Sequence, residues 1–232
     1  MIPQLIHHTA KTSLVDPKWA PFQKTLLELH PGWKYRLWTD EDNLSLLRER
    51  RPDLESVYYN MTQPAMRADL MRYIYMQQFG GLYLDLDYQF LKPFDLNDKI
   101  VVLPRESNDE QPVYLGNCIF ASEAGHPFWT ALLDAIKASP PTKRTVKTEQ
   151  DSIDQAGPGM VTRIWREQFQ DDATIFIPPR LWFNPLIPRT EEELKALRSR
   201  DESYGIHWCF GSWRDLTVWA KVKRRVRRFL RR

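Results

Sequence analysis

The chain reads as an α/β protein with a mostly parallel sheet flanked by helices. Three observations carry that expectation. Short apolar runs alternate with segments of helical periodicity along the sequence, glycine and proline pairs punctuate the alternation, and no internal repeat or low-complexity tract interrupts it. A length of 232 residues, with 42% hydrophobic and 27% charged residues, suits one large domain with a substantial core.

The elements follow in order. Gln4 to His7 is a short apolar run and reads as a first strand. Pro17 to Leu29 repeats Phe22, Leu26 and Leu29 at helical spacing and stops at His30-Pro31-Gly32. Tyr35 to Trp38 is the second strand. Thr39-Asp40-Glu41-Asp42 then supplies N-terminal capping for a helix running towards Arg50. Gln63-Pro64 opens a stronger helix, since proline is tolerated in a first turn, and Gly80-Gly81 closes it. Leu82 to Leu86 is a buried-type strand that runs into acidic residues. Ile100–Leu103, Tyr114–Phe120, Thr174–Ile177 and Tyr204–His207 are the remaining strand signals. The seventeen prolines gather in loops such as Pro178-Pro179 and Pro185 to Pro188. In such a sheet, ligands bind beyond the carboxyl ends of the strands.

Composition excludes some classes. No window approaches ~18 uninterrupted apolar residues, which argues against a membrane-spanning helix. The opening residues lack the basic region and apolar run of a secretory signal. Cys118 and Cys209 are the two cysteines and stand far apart, which disfavours a disulfide scaffold or structural zinc site and suggests a reducing compartment.

Charge is unevenly distributed. The last twelve residues hold eight of the 33 Lys and Arg and no acid, leaving 25 basic against 30 acidic residues in the rest. An acidic body disfavours a nucleic-acid partner, and a basic tail favours a local anionic one. Val218, Val222, Val226, Phe229 and Leu230 recur at helical spacing among the cations. The expected organisation is therefore a domain over 1–217 and a basic amphipathic helix over 218–232. That helix would lie on an anionic membrane surface or dock on the domain. A cytoplasmic protein, peripheral on the inner face of the membrane, is the expectation.

The stretch richest in chemistry is Gly80-Gly81-Leu82-Tyr83-Leu84-Asp85-Leu86-Asp87. In an extended strand, residues two apart share a face, so Asp85 and Asp87 would point the same way. Two neighbouring carboxylates repel and resist desolvation unless a cation joins them. Mn²⁺ or Mg²⁺, bridging carboxylates to phosphates, is the natural partner. A solvated turn is the plain alternative. Asp69 and Arg72, three apart on the preceding helix, share a face and form either a simple ion pair or a ligand contact. His207 ends an apolar strand as a third metal ligand or a core histidine, since imidazole joins carboxylates around Mn²⁺ more readily than around Mg²⁺. His7 is either near a nucleotide or packed in the core. His30 and His126 precede prolines and read as helix punctuation. Of nine tryptophans, Trp182 and Trp213 sit in loops and suit an acceptor-side wall.

Several ordered blocks carry a resemblance. Ala65 to Tyr73, Phe79 to Asp87 and Leu91-Lys92-Pro93-Phe94 resemble the DXD-containing glycosyltransferases of family 32. So do Ile2 to His7, Pro31 to Asp40, Asn117 to Pro127, Gly157-Pro158 with Thr162, and Ile206-His207-Trp208 with Ser212-Trp213. The resemblance implies a GT-A fold and a retaining, metal-dependent transfer of a hexose from a UDP- or GDP-sugar to a saccharide or lipid-linked acceptor. It implies catalytic roles for Asp69, Arg72, Asp85 and Asp87, and metal ligation by Asp85, Asp87 and His207. It also implies a donor site of His7, Asp69, Arg72, Tyr83, Asp85, Asn117, Gly157, Pro158, Ser212 and Trp213. The chain departs from the family at Ala68, where Ser is frequent. Two competitors are a haloacid-dehalogenase-like phosphatase, whose motif fits poorly with Tyr88-Gln89 after the second Asp, and a non-catalytic carbohydrate- or membrane-binding module.

Overall fold

The computed structural model describes residues 1–211. Ser212, Trp213, the 217 boundary and the basic tail lie outside the described residues. In chain order the elements are β1 (Leu5–Thr9), α1 (Ala20–Leu29), β2 (Lys34–Trp38), α2 (Asp40–Arg50), α3 (Glu55–Asn60), α4 (Pro64–Phe79), β3 (Gly81–Leu84), β4 (Tyr88–Phe90) and β5 (Val101–Val102). There follow β6 (Ile119–Ser122), α5 (Pro127–Ala138), α6 (Glu149–Gln155), α7 (Pro158–Ile164), β7 (Ile175–Phe176), α8 (Arg180–Phe183), α9 (Glu191–Ser199) and β8 (Gly205–His207).

A six-stranded sheet has the order β2-β1-β3-β6-β5-β7. β1 pairs in parallel with both β2 and β3, and β5 pairs in parallel with β7. Only β6 runs against its neighbours, so the sheet is mostly parallel, as the alternation predicts. Side chains of β3 and β6 alternate between two apolar layers. Tyr83 and Phe120 face the layer built by α2, α4, α5 and α7. Leu82, Leu84, Ile119 and Ala121 face a second layer with Leu26 of α1 and Phe183 of α8. This is the α/β, GT-A architecture.

Local chemistry explains the helix ends. Thr39 and Asp42 form a reciprocal capping box at the start of α2. His126 caps α5, its ring nitrogen accepting from the Phe128 amide at 3.3 Å, and His30 ends α1. α4 has Pro64 in its first turn and stops at Gly80. Gly80 and Gly81 take φ of +61° and +93°, which lets the chain reverse straight from α4 into β3. A Cβ on Gly81 would fall 2.3 Å from the Leu5 carbonyl oxygen, so the same glycine lets β3 lie against β1.

The structure corrects three strand expectations. β3 ends at Leu84, and Asp85 to Tyr88 form a turn closed by the Tyr88 amide donating to the Asp85 carbonyl at 3.0 Å. The shared-face argument for an extended strand therefore does not apply to the two aspartates. The strand expected over Tyr114–Phe120 begins only at Ile119, because Arg105 to Leu115 closes as a loop with a single bridge between its ends. Finally, β4 pairs antiparallel with β8 as a separate two-stranded sheet, setting Tyr88 opposite His207. Trp182 sits on α8 and not in a loop, half-buried against Phe94, Phe176 and Tyr204.

Gly81→Ala tests the reversal. Backbone strain and the clash with Leu5 together should cost about 3 kcal/mol or more, lowering the melting temperature by roughly 10 °C. An unchanged melting curve would show that the turn relaxes freely.

Candidate active site

Four segments meet at the carboxyl end of β3. α4 supplies Asp69 and Arg72 from its buried face. The turn after β3 supplies Asp85 and Asp87, the loop before β6 supplies Asn117, and β8 supplies His207.

Arg72 is the hub. Its guanidinium lies 3.2 Å from Asp69 Oδ1 and 3.3 Å from Asp85 Oδ1. It also donates to the Asn117 carbonyl, and its charge sits 4.8 Å from the centre of the Tyr83 ring. Tyr83 Oη donates to Asp85 Oδ1 at 2.6 Å, and Asn117 Nδ2 donates to Asp69 Oδ1 at 2.8 Å. Both Asp69 and Arg72 are buried. Burial pushes the Asp69 carboxyl up to about 7, although Arg72 and Asn117 oppose the rise. Burial also opposes charge on Arg72, but Asp85, Tyr83 and Asp69 more than offset it and hold the guanidinium charged.

A second cluster lies beside the first. Ligand atoms of Asp85, Asp87 and His207 fall within 4.8 Å of one another. His207 Nε2 is 3.3 Å from Asp87 Oδ1 and 3.9 Å from Asp85 Oδ2. Asp87 is further held by the Phe210 amide, which donates to Oδ2 at 2.8 Å, and its carbonyl accepts from the Trp208 amide at 3.0 Å. Phe22 of α1 stacks on Trp208, and Trp208 on Phe210, which anchors this segment. Burial opposes charging His207, but Cys118 and the Asp87 carboxylate outweigh it and raise its pKa above that of a free imidazole. Burial raises the Asp87 carboxyl, and His207 with the backbone amides brings it below the ordinary range. His207 Nδ1 contacts Cys209 Sγ at 3.3 Å. Two carboxylates and an imidazole whose other nitrogen is already engaged match the donor set of a divalent metal.

The other expected residues divide. Tyr83 and Asn117 join the cluster through the contacts above. Gly157 caps α7 where a Cβ would stand 3.5 Å from Asp69 Oδ2, and Pro158 follows as the first residue of that helix. His7 is buried, with Nε2 donating to the Gly80 carbonyl at 2.8 Å and Nδ1 accepting from Trp38 Nε1 at 2.9 Å. Burial lowers its pKa to about 4, so it is neutral, and both ring nitrogens are occupied inside the core. That geometry leaves His7 no polar atom for a donor. Sequence reasoning overlooked Glu106, whose carboxylate is close enough to feel the charge of His207. Its lone position in a polar loop carries no signal by pattern.

Comparison with known proteins agrees with the geometry. Residues 16–106 match the glycosyltransferase sugar-binding region containing a DXD motif. Over 137 residues the chain is 32% identical to mannosyl phosphorylinositol ceramide synthase SUR1 of Saccharomyces cerevisiae, covering 59% of this chain and 35% of the relative. Over 139 residues it is 32% identical to inositol phosphoceramide mannosyltransferase 3 of Schizosaccharomyces pombe, covering 60% of this chain and 37% of that one. The matched segment thus spans little more than a third of either relative. In structure, the chain shares its fold with PaToxG glycosyltransferase at a TM-score of 0.58 and 16% identity, over 73% of this chain and 70% of the other.

Asp69 yields a pH test. Its carboxyl ordinarily titrates near 3.8 and is held near 7 in the fold, so the fold favours its protonated form. The associated stability is full at acidic pH and is lost as pH rises through the folded value. Asp69→Asn copies the neutral form. Its melting temperature should match wild type near pH 4 and exceed it by on the order of 5 °C at pH 8. A difference independent of pH would contradict the burial argument.

Proposed function

We propose that this protein is a metal-dependent, retaining glycosyltransferase of the family 32 type, moving a hexose from a nucleotide sugar to a polyol acceptor. The convergence of Asp85, Asp87 and His207 beside the buried Asp69–Arg72 pair carries the reading. The names of the relatives point to mannose as the sugar, hence to GDP-mannose ahead of UDP-sugars, and to an inositol-phospholipid acceptor.

Asp85, Asp87 and His207 would hold Mn²⁺, or Mg²⁺ less readily given the imidazole. Bound there, the ion supplies Lewis-acid neutralisation of the departing diphosphate. Arg72 adds a fixed positive charge at the same edge, already desolvated and therefore strong without reorganisation. Asp69, engaged by Arg72 and Asn117, suits a group that orients sugar hydroxyls in place of one that attacks the anomeric carbon. Retention then follows from attack on the face the diphosphate leaves, with a phosphate oxygen taking the acceptor's proton. Tyr83 and Asn117 lock the rotamers of the two aspartates, and Gly157 keeps the Asp69 side open.

No helix among the described residues is long and apolar enough to cross a membrane. The basic tail would bring the enzyme to anionic lipid at the inner face of the membrane, and so to a lipid-linked acceptor. Each Lys or Arg near such a surface contributes roughly 1 kcal/mol, weakening as salt rises.

Two measurements test this reading. Hydrolysis or transfer from a panel of nucleotide sugars should require Mn²⁺, and Asp87→Ala should reduce turnover at least 100-fold while keeping the fold. Full activity of metal-free protein in EDTA would refute the metal's role. Deleting residues 221–232 should release the protein from anionic vesicles on co-sedimentation while sparing donor hydrolysis. Equal sedimentation of the truncated protein would remove the tail from the account.

A further inference from the structure

Among the described residues, Cys209 is the one residue other than glycine whose φ is positive, at +49°. Residues with a Cβ rarely adopt that conformation, and such outliers cluster at functional positions. Cys209 stands two positions after His207, in the segment that follows β8. The turn it makes aims backbone at Asp87 from both sides. The Trp208 amide donates to the Asp87 carbonyl at 3.0 Å, and the Phe210 amide donates to Asp87 Oδ2 at 2.8 Å. Glycine would make the same turn without strain, as Gly211 does two residues on at a φ of +61°. The backbone alone therefore does not account for a cysteine here, and its side chain has to.

That side chain returns to His207. Cys209 Sγ lies 3.3 Å from His207 Nδ1 and 3.6 Å from the His207 carbonyl oxygen. A thiol is both a weak acceptor and a weak donor, so one assignment satisfies the two contacts. Nδ1–H donates to sulfur, and S–H donates to the carbonyl. With a proton held on Nδ1, the imidazole presents Nε2 to the carboxylates, 3.3 Å from Asp87 Oδ1 and 3.9 Å from Asp85 Oδ2. The Tyr88 ring stacks on the imidazole with centroids 6.4 Å apart, while its hydroxyl donates elsewhere, to the Phe183 carbonyl at 2.7 Å. An aromatic face thus bounds the plane of the imidazole, and sulfur bounds its polar edge. Cys118, the other thiol, is buried and donates to Asn184 Oδ1 at 3.4 Å.

We propose that Cys209 is a positioning residue for the metal centre, its thiol fixing the Nδ1–H tautomer of His207 and the rotation of the ring so that Nε2 faces Asp85 and Asp87. Ligating histidines hold their second nitrogen through a hydrogen bond, and removing the partner typically lowers metal affinity about 10–100-fold. Sulfur accepts more weakly than a carboxylate or carbonyl, so the loss belongs at the low end of that range. The strained φ is what it costs to place the sulfur there. This assignment rests on the metal reading above and adds to it a residue outside the ligand set.

Mn²⁺ binding by calorimetry on the full chain decides it, with three substitutions at the one position. Cys209→Ala should weaken Mn²⁺ binding about 10-fold while melting within a few degrees of wild type. Cys209→Ser, whose hydroxyl also accepts and donates, should bring affinity back to within about 3-fold of wild type. Cys209→Gly relieves the strain, so it should melt no lower than Cys209→Ala yet bind Mn²⁺ just as weakly. A purely structural role would leave the glycine variant binding like wild type. Alanine and glycine variants with wild-type affinity, or a serine variant as weak as alanine, would overturn the assignment. The two failures remain separable. Wild type that binds Mn²⁺ no better than Cys209→Ala defeats only the positioning role, and wild type that binds no Mn²⁺ defeats the metal reading along with it.

Discussion

The buried guanidinium of Arg72 is the interaction around which the site is arranged. A cation taken out of water survives only if its partners are well placed. Here the partners come from three separate segments: Asp69 one turn away on α4, Asp85 at the end of β3, and the Asn117 carbonyl before β6. Satisfying one charge therefore fixes the relative positions of helix, strand end and loop. Tyr83 adds its ring face and spends its hydroxyl on the same aspartate. Asp85 is thereby held from one side by Arg72 and Tyr83, leaving Oδ2 towards His207.

That arrangement places unlike demands on two carboxylates of the site. Asp69 is buried and pushed towards neutrality, whereas Asp87 is held ionised by His207 and backbone amides. Environments that separate the titration of acids within one site are a mark of sites that do chemistry. They cost stability, which the surrounding core supplies: Tyr73, Tyr75, Tyr83, Phe120 and Trp129 are almost wholly buried in contact with α4 and the sheet.

Much of this was legible in the sequence where local rules dominate. The Thr39–Asp42 capping box, Pro64 in the first turn of α4 and the Gly80-Gly81 reversal each act within a few residues, and each appears as read. The Asp69–Arg72 pairing follows from helical spacing alone. The convergence of Asp85 and Asp87 was anticipated for a reason the structure replaces, because a turn and not strand alternation brings them together. What stayed hidden depends on long-range pairing. His207 reaches Asp87 only because β4 and β8 join across more than a hundred residues, and nothing local announces a three-residue strand's partner. His7 was ambiguous until its neighbours were known, since only Trp38 and Gly80 reveal that both ring nitrogens are consumed. Glu106 lies in a loop whose shape depends on what Arg105 gathers around it.

Asp85 links the two clusters of the site, paired with Arg72 through Oδ1 and turned to His207 through Oδ2. The metal reading requires that His207 serve with Asp85 and Asp87 as a ligand. The most direct measurement is Mn²⁺ binding by electron paramagnetic resonance, comparing wild type with His207→Ala. One ion per chain with at least a 10-fold loss of affinity in the variant is the result the structure predicts. Identical Mn²⁺ binding by the two proteins would contradict it.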